Sequence, residues 1–214
     1  MPLERVSAQV EKAQQLYAAL APTYDAETRF IAGIRQQAIK ALNLMPGETV
    51  LDAGCGTGWC LPALADAVGP RGKAIGFEPS PAMLAHAQKR IADRSIANVR
   101  LLNACGATVE LGAIPDAILF SYTHDLIRDR VALENIFRQC RPGTRIVAAS
   151  TKLFPRWFFP GNWYLRYTHR VTITNFESFE RPWTILATFC PTSNVRITVP
   201  GSRYLFTGTL DQCA

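Results

Sequence analysis

A short apolar segment followed by alternating glycines, Val50-Leu51-Asp52-Ala53-Gly54-Cys55-Gly56-Thr57-Gly58, constrains this chain more than any other feature. Thr49 to Leu51 predict a strand with Asp52 at its end, and apolar residues then recur at helical spacing from Trp59 to Val68. Glycines let the backbone approach a ligand closely, and the free N–H groups at a helix start favour negative charge. The sequence therefore predicts a ligand-binding corner after the first strand.

The glycine spacing distinguishes between kinds of ligand. A dinucleotide fingerprint requires G-x-G-x-x-G, but its sixth position is Trp59, which is too large for close helix–strand packing, and Gly58 comes one residue early. No Gly-Lys-Ser/Thr follows, so a P-loop is excluded. A hydride-transferring Rossmann enzyme is thus a remote alternative.

The run L-D-A-G-C-G-T-G resembles motif I of the class I S-adenosylmethionine-dependent methyltransferases. The resemblance implies that this loop wraps the methionine part of S-adenosylmethionine, with Asp52 reaching the cofactor directly or through a water. The cofactor-binding residues it implies here are Asp52, Gly54, Cys55, Gly56 and Gly58. A glycine-rich turn without a ligand is the alternative.

A second acidic position follows the second predicted strand, Lys73 to Phe77. Glu78 ends this strand, and a carboxylate there can accept two hydrogen bonds from a ribose diol. The run G-F-E-P-S-P-A-M-L is similar to the family's second motif, which implies that Glu78 holds the ribose. Pro79 and Met83 would pack on the adenine or serve as core, and Ser80 is a predicted N-cap before a helix over 82–92.

The third predicted strand, Val99 to Leu102, is followed by a departure from the family. Related sequences usually continue G-D-A, whose aspartate contacts the adenine, but here the residues are Asn103-Ala104-Cys105-Gly106. The resemblance places Asn103 and Cys105 near the adenine, with Cys105 in the position of the aspartate. The adenine contact is therefore open.

The remaining pattern completes an α/β fold. Helices are predicted over 4–20, 27–42, 128–139 and 177–189, and strands over 117–120, 145–149, 195–199 and 204–209. The resemblance extends over nearly the whole chain and implies a Rossmann-like, seven-stranded, mostly parallel sheet with helices on both faces and a C-terminal antiparallel hairpin. It also implies one domain over 1–214, whose N-terminal helices, within 1–45, fold over the cofactor.

Candidates for the acceptor side come from three places in the chain. Tyr24 lies in an A-x-x-Y-D segment similar to ubiquinone and menaquinone C-methyltransferases, while Tyr122 and His124 follow the fourth strand. These three are the candidate catalytic residues; a packed tyrosine and a solvated histidine at a helix start are the alternatives. Residues 152–176 are dense in aromatics and predict a substrate-covering insertion containing Trp157 and Trp163. Loop packing, a dimer surface and a membrane-surface patch remain alternatives.

Composition limits the partners. Hydrophobic residues make up 48% and charged residues 19% of 214 residues, as in globular proteins. Six cysteines without zinc spacing predict reduced thiols, no metal site and a cytoplasmic location. The net charge of +6 comes from scattered positive residues without a basic run, which favours a basic soluble enzyme over a nucleic-acid binder. A monomer or a homodimer is expected. The predicted function is methyl transfer from S-adenosylmethionine to a small-molecule N-, O- or C-nucleophile. Alternatives are a phospholipid headgroup N-methyltransferase and a cofactor-binding protein without methyl transfer.

Overall fold

The computed structural model describes residues 21, 23–154, 158–163, 179–198 and 202–211. The helix predicted over 4–20, Trp157 and most of the aromatic insertion fall outside these residues. Among the described helices, none is long and apolar enough to cross a membrane.

In the described part of the chain, seven strands form one sheet in the order β3-β2-β1-β4-β5-β7-β6. The strands are β1 (Thr49–Ala53), β2 (Lys73–Phe77), β3 (Val99–Leu102), β4 (Ala117–Ser121), β5 (Arg145–Thr151), β6 (Asn194–Thr198) and β7 (Arg203–Thr209). The first five pair in parallel, while β7 pairs antiparallel with both β5 and β6. The predicted mostly parallel sheet with a C-terminal antiparallel hairpin is confirmed.

Helices lie on both faces of this sheet. They are α1 (Tyr24–Glu27), α2 (Ala32–Ala41), α3 (Leu61–Val68), α4 (Pro81–Asp93), α5 (Arg130–Phe137) and α6 (Thr184–Phe189), with 3₁₀ turns at Arg29–Ile31 and Leu126–Arg128 and a further helical segment at 159–163. Because successive side chains of a strand point to opposite faces, β1 contributes Val50 to the core beneath α2, α3 and α4, and Leu51 to the core beneath α5 and α6. The parallel strands are therefore buried on both sides.

Local chemistry accounts for several boundaries. The Ser80 hydroxyl accepts a hydrogen bond from the Met83 N–H at 3.4 Å, so its predicted N-cap role at α4 is confirmed.

The helix predicted from 177 is wrong over 179–183, since α6 begins only at Thr184. Pro182 disfavours helical backbone at the residue before it and removes a backbone donor.

The predicted helix over 27–42 is also interrupted. The Thr28 hydroxyl donates to the Tyr24 carbonyl at 2.7 Å, and the chain makes a 3₁₀ turn before α2 begins at Ala32. Serine and threonine hydroxyls that bond the preceding turn compete with a regular helix in this way. The predicted helix over 27–42 is thus divided, since α1 ends at Glu27 and α2 begins at Ala32.

Candidate active site

The candidate site lies where β1 and β4 end side by side. The chain runs from β1 outward to β2 and β3, and then returns to β4 on the other side of β1. Such a reversal of strand order leaves a crevice beyond the carboxyl ends of the strands, where open α/β sheets bind ligands. β1 extends to Ala53, so Asp52 is inside the strand rather than at its end.

The glycine loop that follows β1 has a left-handed backbone at alternate positions. Gly54, Gly56 and Gly58 have φ of +72°, +56° and +73°. A Cβ on Gly54 would lie 2.6 Å from Cγ2 of Thr123, whereas a Cβ on Gly56 would have open space around it. Gly56 therefore offers bare backbone to the crevice, as close approach of a ligand requires.

Glu78 connects the ends of three strands. Its Oε2 accepts from the Gly56 N–H at 3.1 Å, and its Oε1 accepts from the Ser80 N–H at 2.9 Å. The Asn103 side chain, after β3, donates to the Glu78 carbonyl at 3.0 Å. Burial raises the pKa of Glu78, while the two backbone donors oppose that rise. The carboxylate keeps further lone pairs for a ligand, because each oxygen has more than one acceptor site.

The other residues predicted for the cofactor are divided between crevice and core. Met83 is buried on α4, and Pro79 is half-buried beside it. Cys55 is buried against β2, since a Cβ on Gly76 would lie 2.9 Å from its Sγ. Cys105 is half-buried, with its Sγ 3.2 Å from Oγ1 of Thr108.

Asp52 and Arg35 are two buried charges beside the loop. Asp52 is 2% exposed and Arg35, on α2, is 5% exposed. Burial raises the pKa of Asp52 to about 7; the Arg35 guanidinium lowers it and Glu78 adds to the rise. The sequence analysis missed Arg35. Its position one residue after Ile34 and four after Ile31, both buried, places it on the apolar stripe of α2 and could have revealed it.

The three candidate catalytic residues lie near one another, with Tyr122 between the other two. Tyr24 and Tyr122 both lie close to Arg35, whose guanidinium carbon is 5.9 Å from the Tyr122 ring centroid. His124 is buried next to Tyr122, with their ring centroids 5.9 Å apart, and its Nδ1 lies 2.9 Å from the Ser150 hydroxyl. Burial raises the pKa of Tyr24 and of Tyr122. Both phenols are therefore neutral near pH 7 and able to donate hydrogen bonds.

The predicted substrate cover is described only in part. Trp163 is 70% exposed at the end of the helical segment 159–163, and Phe159 is likewise exposed. The role of Trp163 in covering the substrate stays a prediction.

Helix α1 is fastened to the glycine loop by Asp25. The Thr57 hydroxyl donates to Oδ1 of Asp25 at 2.7 Å, and Arg90 of α4 forms an ion pair with Oδ2 of the same carboxylate. Thr57 is buried by this contact. The sequence analysis did not find this connection, which joins three segments distant in the chain.

Known methyltransferases resemble this chain in sequence. Residues 50–143 match a family described as methyltransferase domain. The chain is 30% identical over 152 residues to a demethylmenaquinone methyltransferase of Lactococcus lactis, covering 66% of this chain and 59% of that protein. A demethylmenaquinone methyltransferase of a Geobacillus strain is 29% identical over 119 residues, covering 55% of this chain and 51% of that protein. The chain thus spans between half and three fifths of these relatives' length.

A solved structure agrees in fold. A SAM-dependent methyltransferase from Aquifex aeolicus superimposes with a TM-score of 0.66 at 20% identity, covering 90% of this chain and 98% of that one. The chain therefore shares the fold of a SAM-dependent methyltransferase, and its residues 50–143 match a methyltransferase domain.

Proposed function

We propose that this chain binds S-adenosylmethionine in the crevice between the ends of β1 and β4 and transfers its methyl group to a small-molecule acceptor. The observation that carries the proposal is a set of buried polar atoms without hydrogen-bond partners. Oδ2 of Asp52, Nε of Arg35 and Oγ1 of Thr123 all lie beside the glycine loop. Buried polar groups are nearly always satisfied in folded proteins. A polar ligand in the crevice would satisfy these three.

Each residue has a role in this proposal. Gly54, Gly56 and Gly58 bring backbone to the cofactor and Asp52 accepts from its methionine part. Glu78 accepts from the ribose, and Pro79, Met83, Asn103 and Cys105 surround the adenine. Cys55 supports the loop from the core side. The N-terminal helices cover the cofactor, in a single domain.

When bound, S-adenosylmethionine supplies a methyl group on a sulfonium centre, which an acceptor nucleophile can displace. The protein's own task is to align the acceptor and exclude water. Tyr24 and Tyr122, neutral and beside Arg35, would orient the acceptor by hydrogen bonding. His124, paired with Ser150, would hold the end of β4 in place or accept a proton.

The names of the relatives support a small-molecule acceptor. A panel should therefore include demethylmenaquinone together with amine, phenol and thiol acceptors, and phosphatidylethanolamine for the headgroup alternative. Transfer of a labelled methyl group to one of them is the expected result. Binding of S-adenosylhomocysteine without transfer to any acceptor would favour the cofactor-binding alternative.

Replacing Glu78 with alanine should weaken binding of S-adenosylhomocysteine by about 10- to 100-fold, since charge-assisted hydrogen bonds to the ribose are lost. Isothermal titration of the wild type, freed of any co-purified ligand, should give one site with micromolar affinity. Asp66→Ala, at an exposed position on α3, is the control. Equal affinity in Glu78→Ala and wild type would disprove the ribose assignment.

Replacing Asp25 with asparagine should speed dissociation of S-adenosylhomocysteine about tenfold, because α1 loses its ion pair with Arg90 and part of its bond to Thr57. Stopped-flow fluorescence, with Trp59 beside the loop as reporter, measures the rate. Asp93→Asn is the matched control, since Asp93 pairs with Lys89 at the exposed surface of α4. An unchanged rate in Asp25→Asn would mean that α1 does not retain the cofactor.

A further inference from the structure

A cleft of about 550 Å³ lies between the α1 segment and α4. Its lining includes Asp25 of α1, Arg29 of the 3₁₀ turn that follows and Trp59 next to the glycine loop. Gly56 and Glu78, which belong to the candidate active site, do not line it. The cleft is therefore a second place where a ligand can bind, separate from the crevice between β1 and β4.

The other wall of this cleft is α4. Its lining positions recur at intervals of three and four residues, so they share one face of the helix. That face brings three cationic side chains into the same cleft as Arg29. The lining residues of this wall are His86, Lys89, Arg90, Asp93 and Arg94.

The charges in the cleft do not balance. Four arginine and lysine side chains line it, against two carboxylates. Both carboxylates are already engaged, since Asp93 pairs with Lys89 at 2.8 Å and Asp25 pairs with Arg90. Two arginines in the cleft are therefore left without a carboxylate.

These two arginines are Arg29 and Arg94. In the described part of the chain, their guanidinium groups have neither an ion pair nor a hydrogen bond. A cleft lined by charges of one sign concentrates the electrostatic potential and attracts the opposite ion. Guanidinium groups match the geometry of phosphate oxygens, and the volume of the cleft is in the range of small-ligand sites. The ligand chemistry that fits is a small anion with more than one phosphate group.

We propose that this cleft binds a small polyphosphate anion between Arg29 and Arg94, and that the anion retains the α1 segment over the cofactor. Arg29 follows α1 by two residues, and Arg94 follows the last residue of α4. The bound anion thus connects the two elements, in addition to the contacts that Asp25 already makes with Thr57 and Arg90. Binding of the anion goes beyond the proposed function, whereas its effect on the cofactor rests on that function.

Binding is tested by isothermal titration of the ligand-free protein with inorganic triphosphate, at an ionic strength held constant with chloride. Arg29→Gln and Arg94→Gln should each weaken triphosphate binding about fivefold, since each removes one exposed charge contact. Both positions are exposed, so the variants should fold. Arg71→Gln, an exposed arginine that does not line the cleft, is the matched control and should bind as the wild type does.

The effect on the cofactor is tested by the dissociation rate of S-adenosylhomocysteine. Triphosphate should slow this rate about fivefold in the wild type and in Arg71→Gln, and it should have no effect in Arg29→Gln. Because coupling between two sites is reciprocal, S-adenosylhomocysteine should tighten triphosphate binding by the same factor as triphosphate tightens the binding of S-adenosylhomocysteine.

Several results would overturn the inference while leaving the proposed function standing. The first is equal triphosphate affinity in the wild type, Arg29→Gln and Arg94→Gln, or no binding to any of them. The second is faster dissociation of S-adenosylhomocysteine with triphosphate, which would mean that the anion takes Arg90 from Asp25 or enters the crevice. The third is co-sedimentation with vesicles of phosphatidic acid and phosphatidylcholine without triphosphate binding, which would assign the arginines to a lipid surface. A wild type that binds triphosphate but not S-adenosylhomocysteine would instead overturn the proposed function and leave the anion site standing.

Discussion

Replacing Gly58 with alanine should lower the free energy of unfolding by about 3 kcal/mol. Two costs add. The φ of +73° at Gly58 is unfavourable for any residue with a Cβ, and that Cβ would lie 2.9 Å from Cβ and 3.1 Å from Cα of Ala87. The second contact involves the backbone of α4, so the helix must move away from the glycine loop to relieve it. Urea unfolding followed by circular dichroism gives the measurement.

Gly56→Ala separates the two costs. Gly56 has a comparable φ of +56°, but a Cβ there would meet nothing within 4 Å. Its replacement should therefore cost only the backbone strain, about 1 kcal/mol, while still hindering a ligand in the crevice. Adding Ala87→Gly to Gly58→Ala should recover part of the loss beyond the sum of the single changes. Equal stabilities of Gly56→Ala and Gly58→Ala would show that the contact with α4 is relieved without cost.

The framework of this fold could be predicted because its determinants are local. β2 and β3 have the predicted bounds: β2 is buried after Lys73, and β3 is half-buried except at Arg100. The Ser80 cap and the following proline likewise fix the start of α4 within four residues of chain. The seven-stranded, mostly parallel sheet with its antiparallel hairpin was predicted from the resemblance rather than from any one residue.

The features that local pattern could not supply are tertiary contacts. Asp25 meets Thr57 and Arg90, and each partner is ordinary in its own segment. The packing of His124 depends on Ser150 at the end of β5, which no spacing in the sequence connects with it. Arg35 is intermediate: its place on an apolar stripe is visible in the sequence, but its position between two aromatic rings from other elements is not.

The candidate site differs from the core in its backbone conformation and in its buried charge. The core alternates apolar residues that satisfy both local propensity and burial. The crevice instead contains left-handed backbone at Gly54 and Tyr122, and a buried carboxylate at Asp52. Tyr122 has φ of +60°, which is unusual for a bulky residue and turns the chain sharply at the end of β4. Under the proposed function, local rules fail at these positions because the fold gives up stability there for binding.

Replacing Asp52 with asparagine should remove part of the pH dependence of stability. In the unfolded chain this carboxyl has an ordinary pKa of 3.8, and burial raises its pKa in the folded protein to about 7. Between pH 3.8 and about pH 7 the folded state binds more protons than the unfolded state does. The free energy of unfolding therefore falls as pH rises through this range, and it levels off above pH 7. The loss from pH 5 to pH 8 due to this group is about 3 kcal/mol. Arg35 lowers the pKa of Asp52 and Glu78 raises it, so this measurement requires both residues to be unchanged.

Wild type and Asp52→Asn should therefore have similar stability at pH 5, and the variant should be more stable at pH 8. Urea unfolding of the ligand-free proteins at both values measures the difference, and Asp66→Asn, an exposed position on α3, controls for loss of a negative charge. A constant difference between Asp52→Asn and wild type across this range would mean that Asp52 is ionised throughout and that Arg35 compensates its burial fully. The expected result instead makes Asp52 a group that costs stability in the empty protein at pH 8 and gains its partner from the cofactor.

Binding of S-adenosylhomocysteine to the wild type should then strengthen as pH rises through about 7, with release of a proton. Asp52→Asn should not show this pH dependence.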